Sequence, residues 1–444
     1  MNLQRAREWL VLLLIAALPF HALLVTVGTK LILGPGHVPL PYLAVWKEVF
    51  LGIILFLCGL EFLLSSRRVL RLDTVDLLML ALLLLALAIP TSNFAYGFKY
   101  DLFPLVLFLI LRRVPWSEEF QQRLSRLLLK VGAAVAAYGI VSFFLPQGFF
   151  TALGYSDLHS LYLPDSPLAP FQLLEEGGVR RIQGTMSGPN QLGMWLLIPF
   201  GTLIPAAAKG RAKFFVTLVV IVALFLTFSR AAWIAAMAML IVVFWGRIRG
   251  EAVQRYRLRG LLLMIVILST AFILAPEIFL RTLSTREHFQ RPLEAIEIIM
   301  KHPLGLGLGT AGPASNRVSD PCVYLPAGAD ASWAKDRMDL CVFVGEQQTQ
   351  PTDRACQCPL LPENWYLQIG VELGLIGLVL FVALTVLVLL KLRATSYQLS
   401  AFLSFLGIST ASLFLHAWED SAVAYTMWLL LVVALSVVQF RRAQ

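Results

Sequence analysis

The sequence predicts an all-α integral membrane protein, a single polytopic domain over residues 1–444 with about 12 transmembrane helices. Three observations predict it. The chain is 58% hydrophobic and 14% charged, with a mean hydropathy of +0.76, whereas a soluble globular domain has about 45–50% apolar and about 25% charged residues. The apolar residues fall in runs near the ~20 residues that cross a bilayer. Basic residues recur in every second connection between those runs.

The runs lie near 9–28, 43–64, 73–90, 98–112, 126–146, 189–208, 214–229, 231–247, 260–280, 364–390, 399–417 and 422–440. The first lacks a small-residue cleavage site before Lys30 and reads as a retained helix, not a signal peptide. The fourth is short and carries Lys99 and Asp101 at its start. No repeat, low-complexity tail or soluble domain stands at either end.

A net charge of +9 could indicate a nucleic-acid partner, but the positions of the charges speak for topology. Arg5 and Arg7 precede the first run, and Arg67, Arg68 and Arg71 follow the second. Arg112, Arg113, Arg123, Arg126 and Lys130 surround the fourth gap; Lys209, Arg211 and Lys213 fill the sixth. Arg247, Arg249, Arg255, Arg257 and Arg259 fill the eighth, Lys391 and Arg393 the tenth, and Arg441 and Arg442 end the chain. Alternating basic connections put both termini in the cytoplasm, and an even helix count agrees. The partner implied is the lipid bilayer, and no nucleic acid.

The opposite connections then face outward, and two are long: 145–189 and 281–363, the latter between the ninth and tenth helices. A connection of about 80 residues is too long for a simple loop. It holds Cys322, Cys341, Cys356 and Cys358, while Cys58 lies in the second helix. Disulfides persist in oxidising compartments, and four cysteines allow three pairings. A zinc site is the rival, but a tight C-x-C with two distant partners lacks paired C-x2-C knuckles.

Polar groups collect on this outward side. Arg180 and Arg181 run against the charge bias and suit bidentate phosphate binding; the plainer reading pairs them with Glu175 or Glu176. Arg230 stands where the seventh run gives way to the eighth, an ionisable group at membrane depth, with snorkelling as the alternative. The long loop opens with Arg281, Arg286, Glu287, His288 and Arg291. An amphipathic helix follows, with Leu293, Ile296, Ile299 and Met300 on one side. The run Leu304-Gly305-Leu306-Gly307-Leu308-Gly309-Thr310 lacks the βαβ setting of a dinucleotide site and reads as a tight, closely packed turn. Glu363 closes the loop at the start of the tenth helix, where a helix N-terminus favours negative charge.

Four of these segments, in order, resemble the O-antigen ligase and polysaccharide polymerase superfamily of bacterial membrane glycosyltransferases. Arg181-Ile182-Gln183-Gly184 with Pro189-Asn190 is similar to its R-x-x-G…P-N element, and Ser229-Arg230 to its S-R element. His302-Pro303 through Gly309 is similar to its H-P-x-x-G-x-G-x-G element. Glu363-Asn364-Trp365-Tyr366-Leu367-Gln368, with Glu372-Leu373-Gly374-Leu375-Ile376-Gly377, is similar to its H-N-x-Y-L-Q…E-x-G-x-x-G element. The resemblance spans about residues 180–380.

It implies a membrane-embedded C-type (GT-C) glycosyltransferase fold in the bacterial inner (cytoplasmic) membrane. The partners implied are a polyprenyl-diphosphate-linked glycan donor and a glycan, lipid or protein acceptor. Arg181 and Arg230, with Arg180, Arg286, Arg291, Asn364, Tyr366 and Gln368, would bind substrate. Glu363 stands where ligases have a histidine, and His288 near where they have an arginine, so a carboxylate base at Glu363 assisted by His288 is implied. Loss of the ligase histidine favours a polymerase over a ligase. No D-x-D pair accompanies the motifs, so cofactors and metals are expected to be none and the arginines are the electrophiles, in an inverting transfer. A lipid-linked glycan flippase or transporter is the rival from another class, and a binding scaffold the third; polar residues gathered on one face argue against a transport path.

Overall fold

The computed structural model describes residues 3–34, 39–64, 72–155, 179–206, 211–245, 282–316, 319–325, 327–335, 337, 339–345, 347–392 and 396–442. The chain is mostly helical. Among the described residues, five helical stretches are long and apolar enough to cross a membrane: Leu3–Leu33, Pro41–Leu64, Phe94–Leu111, Glu118–Phe144 and Trp365–Lys391. Shorter apolar helices are Thr74–Ala88, Lys213–Leu226, Arg230–Phe244 and Ser421–Ser436. Every apolar run expected from the sequence falls on a helix, except 260–280, which lies outside the described residues. So do the basic stretches 65–71, 209, 246–259 and 393.

The helices, in order, are α1 (Leu3–Ala17), α2 (His21–Leu33), α3 (Pro41–Leu64), α4 (Thr74–Ala88), α5 (Phe94–Gly97), α6 (Phe103–Leu111), α7 (Glu118–Phe144) and α8 (Gln147–Ala152). Then follow α9 (Pro189–Ala206), α10 (Arg211–Leu226), α11 (Arg230–Trp245), α12 (Thr282–Lys301), α13 (Gly312–Ser315), α14 (Trp365–Lys391), α15 (Ser396–Ala411) and α16 (Ser421–Arg442). Between α5 and α6 one π-helical turn, Phe98–Leu102, widens the helix and carries Asp101.

α9 is the axis of the bundle, buried on all sides through Trp195, Leu196, Leu197 and Ile198. Small residues let its neighbours approach, as membrane helices require without a hydrophobic drive between them. A Cβ on Gly193 would stand 2.9 Å from Ala232, and one on Gly201 2.4 Å from the Ser404 hydroxyl. Ser404 Oγ donates to Ile198 O at 2.9 Å.

One end of the bundle gathers ion pairs. Arg7 Nε meets Glu61 at 2.8 Å and its guanidinium lies 4.0 Å over Trp116. Arg112 meets Asp73 at 3.0 Å and Asp76 at 2.8 Å; Arg113 and Lys391 join the same carboxylates at 2.8 and 2.5 Å. Arg7 and Arg112 are fully buried. These residues, expected to act only as topological charge, also tie α1, α3, α4, α6 and α14 together. A buried charge is tolerated only when paired in this way.

The loop between α12 and α14 carries a feature that helix periodicity did not announce. Strands β1 (Cys322–Leu325), β2 (Cys341–Val344) and β3 (Gln347–Gln350) form a sheet in that order, β1–β2 parallel and β2–β3 antiparallel. Disulfides Cys322–Cys358 and Cys341–Cys356 staple it, and Cys58 stays reduced and buried, as expected. All four loop thiols are spent on these bonds, which removes the zinc alternative. Isolated small sheets of this size are marginal without such constraints.

Candidate active site

The α14 N-terminus is built on Asn364, whose side chain accepts the Leu367 N–H at 3.0 Å as an N-cap does. Capping therefore belongs to Asn364 and leaves Glu363 for another purpose. Asn364 Nδ2 also donates to Leu413 O at 2.9 Å, and the Trp365 N–H donates to Ser412 O at 2.9 Å. Tyr366 O–H donates to Ser409 O at 3.0 Å. Asn364, Tyr366 and the fully buried Gln368 thus spend polar groups on joining α14 to α15 and the α15–α16 connection.

Glu363 sits at φ +52°, a left-handed conformation that costs a non-glycine residue about 1–2 kcal/mol. Its N–H donates to His416 Nε2 at 3.2 Å. Its carboxylate turns toward α12, where Oε1 is 3.2 Å from Arg291 Nη1 and Oε2 is 3.8 Å from His288 Nδ1. His288 and Arg291 lie three residues apart and so share one helical face. All three side chains are partly open. A carboxylate flanked by a guanidinium and an imidazole, facing an open surface, can take a proton from a hydroxyl and hold an anion beside it.

Directly beneath lies a buried polar network. His416 Nδ1–H donates to Gln368 Oε1 at 2.5 Å. The Gln368 amide nitrogen donates to Asp101 Oδ1 at 3.3 Å and to Glu419 Oε1. Asp101 reaches both Glu372 and Glu419. Asp101 Oδ2, Glu372 Oε2 and Glu419 Oε2 find no donor among the described residues. With Asp101 in reach of both glutamates, carboxyls gathered this closely titrate as one coupled group. Burial, then the nearby Glu372, pushes the Glu419 carboxyl well above its usual range, and burial raises Asp420. Burial, with Arg291 and His288, pushes His416 down to about 3.

The glycine run supports this floor. α14 breaks at Gly374 (φ +70°). The freed Val371 and Glu372 carbonyls accept the Leu306 and Gly307 N–H groups, both at 2.8 Å, and Leu375 N–H donates to Pro303 O at 3.0 Å. Glu372 Oε1 accepts the Gly309 N–H at 2.8 Å and the Ala311 N–H at 3.3 Å. Gly305 has φ +89°, and a Cβ there would meet Glu372 O at 2.4 Å. Only glycine fits, and the run is the tight turn its sequence suggested.

The arginines of the first long loop form a second group. Arg181 Nε donates to Thr227 O at 3.0 Å and Nη2 to Asn190 Oδ1 at 2.8 Å, pinning the loop to the α10–α11 turn that presents Arg230. Arg180 Nη1 donates to Leu145 O at 2.5 Å, with its guanidinium 4.5 Å over Phe150. Both groups lie at one end of the bundle. Gly193 abuts Ser229 and Ala232, Gly407 abuts Leu197 and Met239, and α15 then ends at the Ser412–Leu413 carbonyls that hold Trp365 and Asn364. The Arg286 side chain, Arg281, Glu175 and Glu176 lie outside the described residues.

The structure thus unites Glu363, His288 and Arg291, and separately Arg181, Asn190 and the Arg230 turn. Sequence reasoning missed Asp101, Glu372, Glu419 and His416 as a group. The available signal was acidic residues inside apolar runs and His416-Ala417-Trp418-Glu419-Asp420 between the last two. Compared with known proteins, the chain matches no protein-family model and has no detectable similarity to a curated protein.

Proposed function

We propose that the protein is a membrane glycosyltransferase that joins glycan from a polyprenyl-diphosphate carrier to an acceptor hydroxyl outside the cytoplasm, as a polymerase. In this reading the chain spans the bacterial inner membrane about 12 times in a C-type glycosyltransferase fold, with both termini cytoplasmic. The observation that carries it is the Glu363 carboxylate held against Arg291 and His288 at the same end as Arg230.

The step is a single displacement. Glu363 takes the proton of the acceptor hydroxyl as its oxygen bonds to the anomeric carbon. The bond from that carbon to the diphosphate oxygen breaks on the opposite face, and the electron pair leaves with the diphosphate. Arg230 and Arg291 face the developing charge, which fixed cations stabilise most where water is scarce. Arg181 acts through the turn it pins, and inversion follows from attack opposite the leaving group. A ligase to a lipid or protein acceptor would use the same step with a different hydroxyl.

A second reading, a proton-coupled transporter of lipid-linked glycan, is favoured by the broken α14 and the buried Asp101, Glu372 and Glu419. Transporters leave the carbonyls of a broken helix open to coordinate an ion. Here Leu306 and Gly307 fill the Val371 and Glu372 carbonyls, which weighs against it. Purified protein in liposomes with a synthetic polyprenyl-diphosphate oligosaccharide tests both. Longer glycan and free polyprenyl diphosphate support transfer, whereas unchanged donor moved across the bilayer in response to a pH gradient supports transport.

A further inference from the structure

We propose that His416, in the α15–α16 connection, is a positioning residue that fixes Glu363 through its backbone; the consequence for turnover rests on the reading of Glu363 as the base. The assignment starts from the strained backbone. Glu363 holds φ +52° with its amide hydrogen turned inward, and among the described residues that hydrogen meets one acceptor, His416 Nε2 at 3.2 Å. Because Nε2 accepts, the ring proton is on Nδ1, and Nδ1 donates to Gln368 Oε1 at 2.5 Å. Gln368 can offer that oxygen in one amide orientation only, since its nitrogen donates to Asp101 and Glu419.

The network therefore runs one way. Two buried carboxyls fix the Gln368 amide, the amide fixes the His416 tautomer, and the tautomer presents a lone pair to Glu363. Second-partner fixing of an imidazole tautomer is a general device for orienting groups at a site. The three sequence-distant elements that meet here are the α5–α6 π-turn, the first turn of α14 and the α15–α16 connection. The base is thereby aimed from the protein interior while its carboxylate stays open toward α12.

Two isosteric variants separate the two ring nitrogens. In His416→Gln the side-chain oxygen falls near the Nε2 position and can still accept the Glu363 N–H. In His416→Asn the amide nitrogen falls near Nδ1, keeps Gln368 satisfied, and leaves the Glu363 N–H without its acceptor. Hydrogen exchange of the 360–367 peptide reads the clamp without any assay of activity. Exchange at Glu363 should rise about 10-fold in His416→Asn, the scale of one lost hydrogen bond, and stay near wild type in His416→Gln. Glycan transfer should follow, with kcat down roughly 10- to 100-fold in His416→Asn at little-changed KM and largely kept in His416→Gln. Equal exchange in all three proteins overturns the proposal, as does raised exchange with unaltered kcat. If the wild type transfers no glycan at all, the functional reading fails and the exchange result alone decides the clamp.

Discussion

Replacing Glu363 by Gln separates catalysis from architecture, because the structure assigns the carboxylate little architectural work. The helix cap is Asn364, and the N–H bond to His416 is made by the backbone, so neither is lost. What disappears is the charge on the pairs with Arg291 at 3.2 Å and His288 at 3.8 Å. Those side chains are 28% and 32% exposed, and Glu363 is 22% exposed. Partly solvated pairs of this kind contribute about 1 kcal/mol or less, so the variant should melt within a few degrees of wild type. A general base contributes about 100-fold or more to rate, about 2.7 kcal/mol of barrier. The catalytic effect should therefore exceed the structural one several-fold in energy. Initial rates of glycan transfer in liposomes, read beside melting curves, give both numbers. A variant that turns over close to wild type would refute the assignment, and so would a rate loss matched by collapse of the fold.

Three further outcomes follow from other parts of the structure. Replacing Cys341 and Cys356 by Ser opens the bond with a sequence separation of 15, at a cost of about 3 kcal/mol; exchange should rise across 322–350 and leave α14 unchanged. Gly305→Ala places a Cβ 2.4 Å from Glu372 O at φ +89°, so left-handed strain and overpacking combine to about 2–5 kcal/mol. Gly345→Ala, at φ +64° with 3.5 Å of room, should cost only the strain, about 1–2 kcal/mol, and folding yield or melting separates the two. Lowering pH from 7 to 5 protonates His416 in the unfolded chain, near 6.5, before the folded one, near 3, so its stabilising share falls with pH by about 2 kcal/mol over that window. Glu419 and Asp420, both raised, act in the opposite sense, and the difference between wild type and His416→Gln isolates the histidine.

Bilayer-length apolar runs are the strongest signal a sequence carries, and wherever such a run lies among the described residues it falls on helix, from α1 to α16. The same periodicity found the amphipathic helix α12 but not how its apolar side divides. Leu293, Ile296, Ile299 and Met300 are one apolar side, yet Ile299 is buried with Ala295 while Leu293, Ile296 and Met300 are exposed beside Phe289. Periodicity identifies an apolar face but not whether protein or lipid covers it. Arg7 and Arg112 read as topological charge because Glu61, Asp73 and Asp76 become their partners only when separate helices meet. The small sheet escaped because its strands are four residues long and are held by disulfides. Within the site, Glu363, His288 and Arg291 were legible from motif spacing, and their contact is 72–75 residues long in sequence. His416 reaches Gln368 across 48 residues and Gln368 reaches Asp101 across 267, distances at which no local pattern exists.

The central claim is that the Glu363 end of the bundle holds a lipid-linked glycan for transfer. A high-resolution structure of the protein in a lipid nanodisc with polyprenyl-diphosphate oligosaccharide tests it most directly. The account predicts the diphosphate against Arg230, the lipid tail among helices, and the reducing-end sugar beside Glu363 with its anomeric carbon open to an acceptor. Diphosphate bound at the Arg7–Arg112 end, or within the bilayer midplane away from Arg230 and Arg291, would contradict it.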